Sequence, residues 1–275
     1  MSDSGPPVTR FDAAFSARGA TAQPGLIPYF TAGFPHLEST TSLLLAAQRA
    51  GCLAVEVGIP FSDPLADGPT VQRTGQTAIA NGMTLALALE QVRAARELGV
   101  TIPLALMTYV NPVLSFGVDA FARAAAQSGV DGTIFPDLPL DEAAAVRAVL
   151  HNTGVAVIPL VAPTTTPERL TRICSSAAGF VYCVSLTGVT GARSEISADA
   201  LRLLDTVHRF TAVPRALGFG LSTHDHVTAL RGHAEAAVVG SALLDHISAA
   251  GSDDAGAVAE RFLLAMQGRG QVPPA

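Results

Sequence analysis

The sequence predicts an α/β protein folded as a closed (β/α)8 barrel. Three observations carry that prediction. There are eight short apolar runs, the segments between them carry apolar residues at three- and four-residue spacing, and the length of 275 residues sits near the ~250 typical of such barrels. The runs fall at 26–30, 53–57, 103–107, 132–135, 156–160, 180–184, 214–217 and 236–239. Several are apolar on successive residues, as strands covered on both faces are, and their number favours closure over an open sheet. Between them, Leu43, Leu44, Ala47 and Ala50 make one apolar helix face, and Ala143, Val146, Val149 and Leu150 make another. Asp141 is placed to cap a helix from Glu142, and Ser222 with Asp225 makes a candidate capping box. The chain 1–275 reads as a single domain, with loose ends at about 1–8 and 268–275. The small, polar stretch 249–256 joins the last barrel helix to a terminal one.

Composition removes several function classes. The 17 basic residues are all Arg, and against 23 acidic residues the net charge is −6. Without Lys there is no Schiff base and no Walker-type phosphate loop. Net acidity without an Arg cluster argues against a nucleic-acid partner. No apolar run reaches the ~20 residues of a membrane span, although mean hydropathy is +0.38. The N-terminus lacks an apolar signal core, so a cytoplasmic location is expected. Cys52, Cys174 and Cys183 are odd in number and lie in apolar contexts, which reads as buried reduced thiols.

Two connections, 58–70 and 185–197, are too long for simple turns, and both follow strands, where barrels build their active sites. Glu56 lies inside an apolar strand between Val55 and Val57. If those neighbours face the helices, Glu56 points into the barrel. A carboxyl there is either a structural group paired to a backbone donor or an Arg, or a general acid/base with a raised pKa. Asp63 and Asp67 follow on a loop rich in Pro and Gly. Each alone suits a turn, but together with Glu56 they set carboxylates over one barrel mouth. Glycines recur at later strand ends: Gly188 and Gly191 in the sixth loop, Gly218-Phe219-Gly220 after the seventh strand and Gly240-Ser241 after the eighth. Such backbone forms an anion cradle that needs no Lys, or simply tight turns. Tyr109, Tyr182 and Phe219 are placed to line the mouth or to pack. His224 and His226 open a predicted helix with no third ligand nearby, so no metal site is expected. The Gly-x-Ser-x-Gly nucleophile pattern is absent.

The stretch from Glu56 to Pro69, with Gly-x-Pro-Phe-Ser-Asp-Pro-Leu-Ala-Asp-Gly-Pro in its course, resembles the signature of the tryptophan synthase alpha chain family. Pro28-Tyr29-Phe30-Thr31-Ala32-Gly33, Met107-Thr108-Tyr109-Val110-Asn111-Pro112, Pro136-Asp137-Leu138-Pro139, the sixth-loop Thr187-Gly188-Val189-Thr190-Gly191-Ala192-Arg193, Gly218-Phe219-Gly220-Leu221-Ser222 and Val239-Gly240-Ser241-Ala242 match it in order. The resemblance implies a TIM barrel and a lyase of tryptophan biosynthesis that cleaves indole-3-glycerol phosphate to indole and glyceraldehyde 3-phosphate. It implies Glu56 and Asp67 as catalytic carboxylates. Gly191, Phe219, Gly220, Gly240 and Ser241 then fall at the phosphate, and Tyr29, Tyr109, Tyr182 and Thr190 on the indole-glycerol wall. It further implies a beta-chain partner in an alpha2beta2 complex. Pyridoxal phosphate resides in that partner and no cofactor in this chain, with Pro60, Asp63, Asn111 and Pro139 at the docking surface or its coupled loops.

Carbon–carbon cleavage needs an electron sink. With no Lys and no metal-ligand motif, the indole ring protonated at C3 serves as its own. On this reading buried Glu56 shuttles protons, and ionised Asp67 accepts the indole N–H with Thr190 fixing its rotamer. The two long loops close over substrate. The alternatives are a free-standing indole-3-glycerol-phosphate lyase, a phosphate-binding sugar isomerase or epimerase, and a non-enzymatic barrel that only binds a partner.

Overall fold

The computed structural model describes residues 7–18, 23–139, 142–184, 196–218, 220–251 and 254–270. Its strands are β1 (Gly25–Thr31), β2 (Val55–Gly58), β3 (Leu104–Met107), β4 (Gly132–Ile134), β5 (Ala156–Val157), β6 (Leu160–Val161), β7 (Val181–Val184), β8 (Arg215–Gly218) and β9 (Ala236–Val239). All pair in parallel, in the order β5-β4-β3-β2-β1-β9-β8-β7-β6. The two ends of that order are halves of one extended segment. The run expected at 156–160 is therefore two short strands, split at Ile158-Pro159, because Pro159 has no N–H to give the ladder. Bonds continue on either side of the break: the Ile158 N–H donates to Thr133 O at 2.8 Å and the Tyr182 N–H to Pro159 O at 2.9 Å. The sheet thus meets itself as an eight-fold barrel. Register runs Tyr29–Glu56–Ala105–Gly132–Ala156 around one half and Leu160–Tyr182–Ala216–Ala236–Gly25 around the other. Each half offsets the register by four residues, from 156 to 160 and from 25 to 29. The sum is the stagger of eight expected for this barrel.

The helices are α1 (Arg10–Ser16), α2 (Ser39–Arg49), α3 (Pro69–Ala80), α4 (Leu85–Glu97), α5 (Val110–Phe116), α6 (Val118–Gln127), α7 (Ala144–Asn152), α8 (Pro167–Ser175), α9 (Ala198–His208), α10 (His224–Ala229), α11 (Ser241–Ala249) and α12 (Ala255–Met266). Among the described residues no helix is long and apolar enough to cross a membrane. Two helix starts differ from expectation. α7 begins at Ala144 rather than Glu142, since the Glu142 and Ala143 amides turn back onto Pro139 O; Asp141 lies outside the described residues. α10 is capped by Thr223, whose hydroxyl accepts the His226 N–H. Ser222 stands one residue too early to cap.

Alternation along the strands separates two cores. Val55, Val57, Leu104 and Leu106 face outward to the helices, where Leu43, Leu44 and Phe121 are fully buried. Ile27, Ala54, Ala105, Ile134, Ile158, Phe180 and Val238 face inward. The bottom of the barrel is plugged by α1, an element the apolar runs do not announce. Its Phe11 meets Phe180 edge-on at 5.4 Å, and Phe180 in turn lies 6.3 Å from Tyr182, so aromatic packing runs from floor to mouth. Thr9 and Asp12 close a capping box on α1. Arg10 pins it to buried Asp131, which also takes Arg96 and the Leu104 N–H. A second ion pair locks the foot of β8: buried Arg215 donates to both carboxylate oxygens of Glu235, at 2.7 and 3.2 Å. Cys52, Cys174 and Cys183 are buried and free.

Candidate active site

The conditional inward placement of Glu56 holds. Val55 and Val57 pack against helices, so Glu56 points into the barrel beside Tyr29, its register partner. It is 1 % exposed. Both carboxyl oxygens are buried without a hydrogen-bond partner, so the alternative of a carboxylate paired to a backbone donor or an Arg fails among the described residues. Burial, reinforced by the negative charge of Asp67, pushes its pKa up to about 8. Near neutral pH this favours the protonated carboxylic acid.

Asp67 stands immediately ahead of α3, whose Gly68 cap and first-turn Pro69 place it at the helix entrance. The loop is tied down by short-range bonds: the Asp67 N–H donates to Pro64 O at 3.1 Å, and Gln72 donates to Asp67 O at 2.8 Å. Tyr109, at the carboxyl end of β3, accepts the Ala66 N–H at 2.9 Å and hydrogen-bonds the Asp67 side chain. Phe61 lies over the same Tyr109 ring at 5.3 Å. Burial raises the Asp67 pKa to about 6, against the lowering effect of the Tyr109 hydroxyl. Both carboxyls are thus raised, Glu56 further than Asp67, because Glu56 is the more deeply buried and also feels the Asp67 charge. Thr190, expected to orient Asp67, lies outside the described residues; the orienting group found is Tyr109.

Tyr29 and Tyr182 complete the chamber, and each needs a glycine. A Cβ on Gly58 would lie 1.9 Å from Tyr29 Oη, and one on Gly218 would lie 2.3 Å from Tyr182 Oη. Only bare backbone lets these rings lie across the mouth. The side-chain-free face of Gly218 is where Tyr182 lies. Burial raises both phenols well above their ordinary value. Tyr29 also feels Asp67 and Glu56, while Tyr182 feels Glu56 and Tyr29. Tyr29, Glu56, Asp67, Tyr109 and Tyr182 thus form one electrostatic neighbourhood. The Thr31 hydroxyl, hydrogen-bonded to Tyr29, is 2.8 Å from that of Thr74 on α3.

On the far side of the mouth, β8 and β9 are neighbours, and their continuations carry Gly220 and Gly240-Ser241. Gly220 has φ +80°, a left-handed turn glycine favours. α11 starts at Ser241 with no side chain capping its first turn, so its amides are open to an anion. Gly191 and Phe219 lie outside the described residues. Asp63, Asn111 and Pro139 are exposed and Pro60 is half-buried; Pro60 and Asp63 lie on the loop after β2, Asn111 in the first turn of α5 after β3, and Pro139 on the loop after β4. Beside them Leu65 is 94 % exposed and Leu114 is also exposed. Among the described residues no group of three or more His, Cys, Asp or Glu could hold a metal ion.

Fold and site together define a (β/α)8 barrel with an acid–base pocket at its carboxyl-terminal mouth. The family model described as tryptophan synthase alpha chain matches residues 15–269, and the chain belongs to that family, whose members serve as lyases in tryptophan synthesis. It is 44 % identical to the tryptophan synthase alpha chain of Chloroflexus aggregans, over 87 % of this chain and 90 % of that one. Its fold matches the alpha chain in the structure of the Pyrococcus furiosus tryptophan synthase a2b2 complex, with TM-score 0.84 and 41 % identity, covering 89 % and 98 % of the two chains. It also matches the alpha chain from Legionella pneumophila, with TM-score 0.83 and 32 % identity over 96 % and 99 %.

Proposed function

We propose that this chain cleaves indole-3-glycerol phosphate to indole and glyceraldehyde 3-phosphate. The observation that carries the reading is Glu56, a buried carboxyl with no hydrogen-bond partner among the described residues and its pKa raised to about 8, held beside a carboxylate. Glu56 gives its proton to indole C3. The ring nitrogen becomes cationic, and Asp67, ionised above about pH 6, accepts its N–H. The Glu56 carboxylate then takes the proton of the hydroxyl on the adjacent side-chain carbon. That carbon becomes the aldehyde, the bond to C3 breaks, and its electrons restore the aromatic ring. Glu56 ends protonated, as it began. Each carboxyl contributes ~10²–10⁴-fold. Tyr29, Tyr109 and Tyr182, joined by Thr190 of the family pattern, wall the indole and its glycerol chain; Gly220, Gly240 and Ser241, joined by Gly191 and Phe219 of that pattern, hold the phosphate end.

This chain acts with a beta-chain partner that carries the pyridoxal phosphate; having no Lys, it forms no imine itself. Exposed Leu65 and Leu114 beside Pro60, Asp63, Asn111 and Pro139 support docking there, since large apolar side chains left in water around a mouth mark an interaction surface. Indole release from indole-3-glycerol phosphate, measured alone and with a beta chain, tests the reading. Turnover that rises strongly with the beta chain is expected. Absence of indole under both conditions contradicts the activity; equal rates contradict the partnership and favour the free-standing lyase.

A further inference from the structure

We propose that His226 is a positioning residue for the phosphate end of the pocket, holding the turn between Gly220 and Thr223 through its Nδ1. The inference rests on the indole-3-glycerol phosphate reading and deepens it. β8 ends at Gly218, the chain turns through left-handed Gly220, Leu221 is buried, and Thr223 caps α10. His226 is the third residue of α10 and only 3 % exposed. Two bonds tie it back to the turn. Its N–H donates to Thr223 Oγ1 at 3.3 Å, and its Nδ1 accepts the Ser222 N–H at 3.2 Å. Because Nδ1 accepts, the neutral ring carries its proton on Nε2. That nitrogen is buried with no partner among the described residues. An apolar side chain of similar size would fill the space without stranding a donor. The polar atom of the ring that works is Nδ1, and what it works on is the turn.

The consequence reaches Gly220. A glycine at φ +80° is free to sample many conformations, and ordering it when substrate binds would weaken binding. With the Ser222 amide held from one side and α10 capped from the other, the chain leaving Gly220 is fixed beforehand. It runs beside the continuation of β9, where Gly240 and the uncapped first turn of α11 offer further amides. Such preorganisation strengthens binding of the ester phosphate and leaves the carbon–carbon cleavage untouched.

The test compares wild type, His226→Gln and His226→Phe, each assembled with a beta chain. It measures KM and kcat for indole-3-glycerol phosphate and the inhibition constant of inorganic phosphate. His226→Phe should raise KM and the phosphate constant about tenfold with kcat within about twofold. His226→Gln, whose Oε1 can accept the Ser222 N–H, should stay within about threefold of wild type on all three. A Phe variant with wild-type KM and phosphate constant, or one that loses kcat at unchanged KM, overturns the proposal. Hydrogen exchange of the Ser222 amide in wild type keeps the test open should the Phe variant not fold: slow exchange with or without phosphate is expected, and exchange at the rate of an unbonded amide overturns it. A wild-type protein that neither cleaves the substrate nor binds phosphate sinks the parent reading as well, whereas a normal wild type with a normal Phe variant sinks this inference alone.

Discussion

Replacing Glu56 by Gln should make the protein more stable in alkali than the native chain. In the folded state the Glu56 proton is held to about pH 8, against 4.5 for the free side chain. Between those values the folded protein keeps a proton that the unfolded chain has released. Its contribution to stability is therefore complete below about pH 4.5 and is lost as pH rises towards 8. At ~1.4 kcal/mol per pKa unit, the full loss is about 5 kcal/mol. Gln has nearly the shape of the protonated acid and no charge to lose. It strands a buried amide, a penalty of ~1–3 kcal/mol that does not vary with pH. Urea unfolding from about pH 5 to about pH 9 isolates the slope from that constant. The wild-type-minus-variant difference should fall by about 4 kcal/mol across the range, towards the variant. Parallel stability curves would mean that Glu56 titrates in the folded protein as an exposed carboxyl does, and the argument for a buried acid would fail.

Asp67→Asn should lower turnover at least ~100-fold, and it should also lower the Glu56 pKa, because the Asp67 charge helps to raise it; the two effects are read from indole release and from the pH dependence of unfolding. Gly58→Ala should expel the Tyr29 ring from the mouth, since the new methyl would sit 1.9 Å from its hydroxyl; a loss of ~1–3 kcal/mol in denaturant unfolding together with a raised KM is expected. Glu235→Ala should cost about 3 kcal/mol in the same unfolding measurement, by leaving the buried Arg215 guanidinium without its carboxylate, while kcat in the surviving folded protein stays near wild type.

The barrel was legible because its strands are covered on both faces. Runs such as Leu53-Ala54-Val55 and Ala236-Ala237-Val238-Val239 then stand out against the helical spacing between them. Glu56 was legible for the same reason, a lone charge in such a run. The halving of the fifth strand turned on Pro159, whose missing donor is a local fact that an apolar count overlooks. The short helix α1 is hidden from a search for long apolar faces, because it offers only two large apolar residues before the first strand. Its signals are Thr9 with Asp12, which make the capping box, and the i,i+4 pair Phe11 and Phe15, both buried. The tie between Asp67 and Tyr109 joins residues far apart in sequence, and no local pattern encodes it. Nor does a pattern reveal that Gly58 and Gly218 make room for the rings of Tyr29 and Tyr182.

Everything turns on a carboxylic acid held neutral at pH 7 next to a carboxylate. Infrared difference spectra of the folded protein against Glu56→Gln, taken through a pH titration, observe that proton. A protonated-carboxyl band present at neutral pH in the wild type alone, and lost near pH 8, is the predicted result. A Glu56 band that is already ionised at about pH 6 would contradict the account.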